Sequence, residues 1–249
     1  MSENMNILAF DTTLNKTYIA LQKGDVVDER VIESDERNYH SAYLISAIKD
    51  IMQKNDLKLQ ELDLIAVNNG PGSFTGIRVG VTVAKTLSKE LGVNVLGVSS
   101  LDILQKAYEI PANADNVSVK PDVVMDARKE MFYFKPSAFP AGLQKTNAEN
   151  EDIVLVPYSD IQNRITQSTA VCDASSFLKL KTAFESANKP EINLINFEED
   201  NINLAISLLN IAKQIVKEAA KDTFQGAAGD LSWHTLNPRY IQPPPIHKK

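Results

Sequence analysis

The stretch NNGPGSFTGIRVGVTVAK at 68–85 holds four of the chain's ten glycines. A glycine-rich turn between a strand and a helix is typical of phosphate sites, because backbone N–H groups can then approach the ligand. A Walker loop has Lys and then Ser or Thr directly after its last glycine, whereas Ile77 and Arg78 follow Gly76. A dinucleotide loop is followed ~20 residues later by an acidic residue, and that region reads NVLGVSS. The sequence favours a tight turn with Ser73 as helix N-cap.

Two aspartates, Asp11 and Asp126, each end a predicted first strand. Paired acidic residues at such positions could coordinate magnesium in a nucleotide cleft. Neither is followed by glycine, since the next residues are Thr12 and Thr13 in one case and Ala127 and Arg128 in the other. Their side chains would hinder the close backbone approach that a phosphate needs, so the sequence predicts no nucleotide site at either aspartate.

Histidine and cysteine are scarce: the chain has His40, His234, His247 and Cys172. No two of them have the spacing of metal ligands, and the single cysteine excludes an internal disulfide framework. Cys172 is predicted to be a buried thiol. We therefore expect no catalytic residue, no bound metal and no cofactor in the isolated chain, with nucleotide only at an assembled interface.

Small residues recur after the glycine turn. Gly76, Gly80 and Ala84 are four residues apart, so on a helix they form one ridge without bulky side chains. Glycine inside a helix costs about 1 kcal/mol relative to alanine, which suggests that close packing repays the cost. Two partners remain open for this ridge, namely the neighbouring helix of the same domain and another molecule.

An amphipathic helix is predicted over 39–53. One apolar stripe on it would face the core, and Tyr43 and Ala47 widen that stripe. A wide buried face and a second contact surface would give the same pattern, so both interpretations stay open.

The elements that position these residues follow a strand-and-helix order. Three short antiparallel strands are predicted at 5–10, 18–22 and 26–32, followed by the helix at 39–53. A buried strand at 62–67, a helix from the glycine turn to about Leu91 and a strand at 94–98 complete the first half. Strand, helix and strand in this order predict a parallel pair with a crossover.

The second half repeats the order more loosely, with VVMDA at 123–127 and MFYFK at 131–135 matching the first strands. A short helix is predicted at 159–165 and a long apolar-faced helix at 203–221. The division is expected in the polar segment 111–121, which gives lobes at 1–110 and 111–249. The proline-rich end from about residue 241 is expected not to pack.

Composition limits the class of protein and its partners. With 249 residues and 43% hydrophobic residues, the chain is long enough to bury a core without disulfides. The N-terminal sequence MSENMNILAF lacks the pattern of a secretory signal, and no apolar run approaches the ~20 residues of a membrane span, so a cytoplasmic protein without a membrane partner is expected. The net charge of -6 argues against a protein that binds nucleic acid alone, so any nucleic acid is expected to be held by a partner.

Several motifs together resemble one family. ILAFDTT at 7–13, HSAYLISAIKDIM at 40–52, IAVNNGPGSFTGIRVGVTVAKTL at 65–87 and LGVSSLDIL at 96–104 resemble the bacterial TsaB (YeaZ) family, as do VVMDARKEMFY at 123–133 and PRYIQ at 238–242. The resemblance covers the first 133 residues well and is poor over 136–189. It implies an actin-like fold of two duplicated α/β lobes, each with a mixed sheet flanked by helices.

The resemblance also implies a role. Members of the family support formation of N6-threonylcarbamoyladenosine beside the anticodon of tRNAs that read codons starting with A. The catalytic paralogue TsaD carries the metal, and a small ATPase, TsaE, joins the assembly. The metal of TsaD depends on two histidines four residues apart on the first crossover helix, whereas here Leu44 stands four residues after His40. The chain is thus expected to be a non-catalytic scaffold subunit.

Pairing in this family uses the first two helices of the N-terminal lobe, with TsaD or, for the chain alone, with a second copy. The corresponding segments here are 39–53 and 73–91. The predicted contact residues are Tyr39, Tyr43, Ala47, Ile48, Gly76, Gly80 and Ala84. On this interpretation Gly80→Leu would weaken pairing and leave the fold largely intact.

Two other functions are alternatives. A small actin-like kinase would bind ATP and magnesium tightly as the isolated chain, and a metallopeptidase would hold a stoichiometric metal ion. Calorimetry and metal analysis separate these alternatives from the scaffold role.

Overall fold

The computed structural model describes residues 5–14, 16–33, 39–109, 119–138, 152–165, 167–187, 192–219 and 231–241. The chain forms two compact units, one of residues 1–103 with 203–249 and the other of residues 104–202. Each unit is built on a five-stranded mixed sheet.

The sheet of the first unit contains β1 (Ile7–Asp11), β2 (Thr17–Lys23), β3 (Val26–Ile32), β4 (Leu64–Gly70) and β5 (Asn94–Ser99). Its order is β3-β2-β1-β4-β5, antiparallel between the first three strands and parallel among β1, β4 and β5. The three antiparallel strands, the parallel pair and the crossover were all predicted from the sequence and are confirmed.

Helices cover both faces of this sheet. On one face, α1 (Tyr39–Lys54) and α2 (Phe74–Leu91) bury their apolar sides against Phe10 and its neighbours. A third helix, α6 (Leu204–Ala219), also packs on β1, β2 and β4. Its residues are not part of the apolar cluster that α1 and α2 form with the sheet. Because strand side chains alternate between faces, α6 lies on the opposite face, where Ala9 pairs with Ala20 and Ala66 in register. Three small side chains in a row allow α6 to approach closely.

The second unit repeats the arrangement with β6 (Asp122–Ala127), β7 (Met131–Lys135), β8 (Val154–Pro157), β9 (Thr169–Cys172) and β10 (Asn193–Asn196). Its order is β10-β9-β6-β7-β8, again with three antiparallel strands and a parallel continuation. The sheet packs against α5 (Ala174–Ala187) through residues such as Leu180. Two sheets of identical strand order confirm the predicted duplicated α/β fold.

The remaining helices are α3 (Ser100–Ala107), which follows β5, and the short α4 (Ile161–Arg164). The sequence placed all of 111–249 in one lobe, whereas the chain returns to the first unit at Asn203. The amide Nδ2 of Asn203 donates to the carbonyls of Ile19 (3.2 Å) and Arg30 (3.4 Å), which fixes the start of α6 on that unit's sheet. Residues 242–249, the end that was expected not to pack, lie outside the described part.

Across the ranges that the structure describes, no helix combines the length and apolar character needed to cross a membrane.

Candidate functional site

The carboxylate of Asp11 lies at the end of β1 and is completely buried. Its Oδ1 accepts hydrogen bonds from the backbone N–H of Thr13 (2.7 Å) and from the Thr13 hydroxyl (2.9 Å). Its Oδ2 accepts one from the Asn68 amide (2.7 Å). Burial raises the pKa of Asp11, and the hydrogen bonds from Thr13 and Asn68 act against that rise. Both carboxylate oxygens are thus used inside the unit.

The polar cluster continues beyond Asp11. Asn68 Oδ1 accepts from the N–H of Gly70 (2.9 Å), and the Ser100 hydroxyl lies 3.0 Å from the same oxygen. That hydroxyl also lies 2.5 Å from the carbonyl of Pro71, which follows a cis peptide bond. The cluster therefore joins the ends of β1 and β4 to the start of α3, and its groups satisfy one another.

The glycine turn packs directly on the residues after Asp11. The backbone N–H of Ser73 donates to the carbonyl of Thr13 (2.7 Å), and the Thr12 hydroxyl donates to the carbonyl of Gly76 (2.7 Å). A Cβ placed on Gly76 would lie 1.8 Å from the Thr12 carbonyl oxygen, and one on Gly72 would lie 2.5 Å from that of Thr13. The glycines are needed for close approach of two chain segments. Ser73 accepts from the N–H of Gly76 (3.2 Å), which confirms the predicted N-cap.

The small-residue ridge points into the first unit. Gly76, Gly80 and Ala84 are all buried, and a Cβ on Gly80 would lie 2.7 Å from the Thr12 hydroxyl oxygen. Gly76 and Gly80 therefore pack on the residues that follow β1 and on β4 of their own sheet, and Ala84 belongs to the same apolar core as residues of α1. Since a Cβ at Gly80 already falls within contact distance of the Thr12 hydroxyl, we expect Gly80→Leu to disturb the packing of α2 on its own sheet as well as any pairing.

Among the other residues predicted to make contact, Ala47 and Ile48 are core residues, 1% and 3% exposed. Tyr43 is 46% exposed, and the side chain of Tyr39 lies outside the described part. Among the α1 side chains that the structure describes, the most exposed large apolar one is Ile45, at 54%. The helical projection grouped residues by face correctly, but five of the seven chosen residues lie on the inward face of their helix.

A segment near the chain end, residues 231–241, lies against the first unit; we call it the strap. Its Leu231 carbonyl accepts from the N–H of Val95 (2.8 Å), and the N–H of Arg239 donates to the carbonyl of Asn69 (2.7 Å). Leu236 inserts into the apolar core and is 5% exposed. Sequence reasoning marked only PRYIQ of this segment, because a strap without regular structure has no periodicity to detect.

In the second unit, Asp126 occupies the position of Asp11. It accepts a short hydrogen bond from the Tyr158 hydroxyl and one from Ser175 (3.0 Å), and its Oδ1 lies 2.9 Å from Lys179 Nζ. Lys179 also donates to the Tyr158 hydroxyl (2.6 Å). Partial burial alone would raise the pKa of Asp126, but the hydrogen bonds from Tyr158 and Lys179 outweigh it and the pKa is lowered. Tyr158 and Lys179 also line a shallow cavity of about 460 Å³.

The remaining candidate residues have structural surroundings. Cys172 is buried, which raises the pKa of its thiol to about 12, as predicted for an unreactive cysteine. His234 stacks on Trp233 with 3.6 Å between ring centroids, whereas His247 and the side chain of His40 lie outside the described part. No group of three or more His, Cys, Asp or Glu within the described ranges is arranged to hold a metal ion.

Comparison with known proteins gives the family. The model described as "TsaD: tRNA N6-adenosine threonylcarbamoyltransferase" matches residues 29–225. The Bacillus subtilis protein named tRNA threonylcarbamoyladenosine biosynthesis protein TsaB is 32% identical over 157 residues, which are 63% of this chain and 66% of that protein. The chain belongs to the TsaB (YeaZ) family.

The Escherichia coli TsaB protein of the same description is 32% identical over 97 residues, 39% of this chain and 41% of its own length. The matched stretches thus span less than two thirds of these relatives. The crystal structure titled YeaZ from Pseudomonas aeruginosa superposes with a TM-score of 0.63 at 19% identity, covering 95% of this chain and 100% of that one. The fold of the TsaB (YeaZ) family, a duplicated actin-like fold, is therefore shared.

Proposed function

We propose that the chain is a non-catalytic scaffold subunit in the formation of N6-threonylcarbamoyladenosine in tRNAs that read codons starting with A. It would pair with the catalytic paralogue TsaD, with the small ATPase TsaE joining the assembly, and form a homodimer when alone. The names of its relatives, tRNA threonylcarbamoyladenosine biosynthesis proteins, support the pathway. The observation that supports the non-catalytic role is that Asp11 is buried and that both of its carboxylate oxygens already accept hydrogen bonds from the chain itself.

An acidic residue that binds magnesium and phosphate must present free oxygens to an open cleft. Asp11 is fully buried, and both of its oxygens accept hydrogen bonds from Thr13 and Asn68. The glycine turn, which would have to cradle the phosphates, contacts the Thr12 and Thr13 backbone instead. The chain's own contacts thus close this strand end, which favours a structural role for Asp11 over nucleotide binding.

The pairing surface is assigned to the outward sides of α1 and α2. Among the α1 side chains that the structure describes, the exposed large apolar ones are Tyr43 and Ile45, which are about 160° apart around the helix and so flank its buried face on opposite sides. On α2 the apolar residues Val79 and Val83 are only partly buried. Apolar side chains on adjoining helices that their own unit covers only in part suit a helical bundle with a second protein. Of the residues chosen from the sequence, Tyr43 stays in this set.

The pairing test uses Ile45→Arg with Leu178→Arg as matched control. Both replace an exposed aliphatic side chain by the same charged one, but Leu178 lies on α5 of the second unit and is 67% exposed. Co-expression with the paralogue followed by size-exclusion chromatography should show at least about tenfold weaker pairing for Ile45→Arg, because a charge placed in an apolar contact must be desolvated. Both variants should unfold within about 0.5 kcal/mol of the parent, as surface changes do.

Normal co-purification of Ile45→Arg would contradict the assigned surface. The scaffold role itself is tested by assaying tRNA modification by the paralogue with and without the parent chain. Activity that does not depend on this chain would contradict the role. Tight ATP and magnesium binding by the isolated chain in calorimetry would favour a kinase, and a stoichiometric metal ion would favour a metallopeptidase.

A further inference from the structure

We propose that α2 and the strap form a direct RNA-contact surface, the basic–aromatic stripe, made of Arg78, Lys85, Lys89, Trp233, His234 and Tyr240. The choice of RNA as its partner rests on the proposed function. The stripe departs from the expectation that tRNA is held only indirectly, and all of it belongs to the first unit.

The basic residues of α2 lie on one side of the helix. Arg78, Lys85 and Lys89 are seven and four residues apart, which places them within a narrow arc over about 16 Å of helix. Val79 and Val83, on the pairing side, are roughly a third of a turn away. Within the part of the chain that the structure describes, none of the three basic residues forms an ion pair with a carboxylate.

Acidic residues are scarce on the two elements that form this surface, α2 and residues 231–241. The only acidic residue of α2 is Glu90, and the strap sequence LSWHTLNPRYI has none. The whole chain, in contrast, has a net charge of -6. A local positive surface on an acidic protein gives a specific point of attraction for a polyanion, because the rest of the protein surface repels it.

Aromatic rings alternate with the basic groups. The guanidinium of Arg78 lies 3.9 Å from the centroid of the Phe74 ring, and its Nε donates to the Tyr240 hydroxyl (3.3 Å). Further along the helix, Lys89 Nζ lies 5.4 Å from the Trp233 ring, on which His234 is stacked. Tyr240 and His234 are both exposed. Each end of the stripe thus combines a cation with an exposed ring.

The strap is held in place before any ligand arrives. It is tied to β4 through Asn69, to β5 through Val95 and to the core through Leu236. An ordered surface loses little conformational entropy on binding, which favours affinity.

This combination favours RNA over an acidic protein segment. Phosphates are bound by Lys and Arg, and unpaired bases stack on aromatic side chains and on guanidinium planes. An acidic peptide would use the cations but would gain nothing from exposed flat rings next to them. The spacing of rings and cations along the stripe suits a single-stranded RNA segment, such as a loop.

Fluorescence anisotropy with a labelled transcript of a tRNA that reads a codon starting with A tests the stripe, using the parent chain alone and co-purified with the paralogue. If Arg78, Lys85 and Lys89 each contact one phosphate, the logarithm of the association constant should fall with the logarithm of the salt concentration with a slope of about −2. Binding should then be about 20-fold weaker at about 200 mM than at about 50 mM salt. Lys85→Ala/Lys89→Ala should reduce the slope to about −0.7. The matched control, Lys181→Ala/Lys217→Ala, removes the same charge from exposed positions on α5 and α6 and should bind as the parent does.

The contribution of the exposed Tyr240 ring is tested by a pair of substitutions at that residue. Tyr240→Leu removes the ring and should bind a short oligouridine about tenfold more weakly, whereas Tyr240→Phe keeps the ring and should bind as the parent does. Thermal unfolding of each variant shows whether the strap is still in place.

The proposal is overturned if the parent shows no salt-dependent RNA binding in either form, or if the two double lysine variants bind RNA equally. It is also overturned if Lys85→Ala/Lys89→Ala still binds RNA as the parent does but no longer co-purifies with the paralogue, since the stripe would then be a protein contact. Failure of the parent to co-purify with the paralogue would count against the proposed scaffold role alone.

Discussion

Asp11 and Asp126 occupy the same place in two sheets of the same strand order, yet their surroundings are opposite. Asp11 is fully buried among neutral donors, and burial raises its pKa. The side chain of Asp126 is 32% exposed, it is paired with Lys179, and hydrogen bonds hold its pKa below the usual value. Topology fixes where a strand-end carboxylate lies, whereas side chains from neighbouring elements decide its chemistry.

The neighbouring elements differ in one respect above all. In the first unit the glycine turn closes on Thr12 and Thr13 and removes water from the strand end. In the second unit Tyr158 and the α5 residues Ser175 and Lys179 surround the carboxylate and leave it in contact with solvent. One strand end therefore stabilises the core, and the other carries a polar cluster at the surface.

The largest expected effect comes from opening the closed strand end. Gly76→Ala would place a Cβ 1.8 Å from the Thr12 carbonyl oxygen, so the backbone must move. We expect a loss of more than about 3 kcal/mol in the free energy of unfolding, because overpacking against backbone cannot be relieved by a rotamer change. Urea denaturation measures it. Gly92→Ala is the control, since no atom lies within 4 Å of its Cβ and only the left-handed conformation at φ 69° costs about 1 kcal/mol. Equal losses would refute the closed turn.

The two aspartates can be compared directly by the same substitution. Asp11→Asn places an amide nitrogen opposite the donors of Thr13 or Asn68, leaving a buried donor unsatisfied at a cost of about 1–3 kcal/mol. Asp126→Asn should cost about 1 kcal/mol or less, because a partly exposed ion pair contributes little. Chemical denaturation of both variants at neutral pH gives the two values, and a larger loss for Asp126→Asn would reverse the assignment of roles.

A smaller effect should appear in the pH dependence. The lowered pKa of Asp126 contributes stability above the unfolded pKa of about 3.9, and this stability is lost as the pH falls through the folded value. The stability gap between the parent and Asp126→Asn should therefore shrink on acidification. The raised pKa of Asp11 acts in the opposite sense, because the folded state binds the proton more tightly, so the gap for Asp11→Asn should widen.

Denaturation of the three proteins from about pH 3 to 7 measures both gaps. Parallel pH profiles for the two variants would show that the two carboxylates have similar environments.

Much of the first unit could be predicted from its sequence. The strands from β1 to β5 show as short apolar or β-rich runs and the two long helices as apolar residues at helical spacing, and each was expected within a few residues of its observed bounds. In the second unit β8, α5 and β10 were not predicted. Two of them are strands of only four residues, too short for a pattern to stand out.

The site required distances that a sequence does not contain. Asn68 meets Asp11 across 57 positions of the chain, and Tyr158 approaches Lys179 across 21. The helical projection of Gly76, Gly80 and Ala84 correctly placed them on one face. Which face turns inward is decided by the Thr12 backbone, a contact in a different element.

The return of the chain to the first unit at Asn203 has a consequence for biosynthesis. The sheet of this unit is translated early, but α6, which covers one of its faces, and Leu236, which fills its core, are translated only after the whole second unit. During synthesis, one face of β1, β2 and β4 therefore stays uncovered until the residues from Asn203 onward have been translated. A nascent chain halted before α6 would be a target for chaperones, even though every predicted pairing helix is already complete.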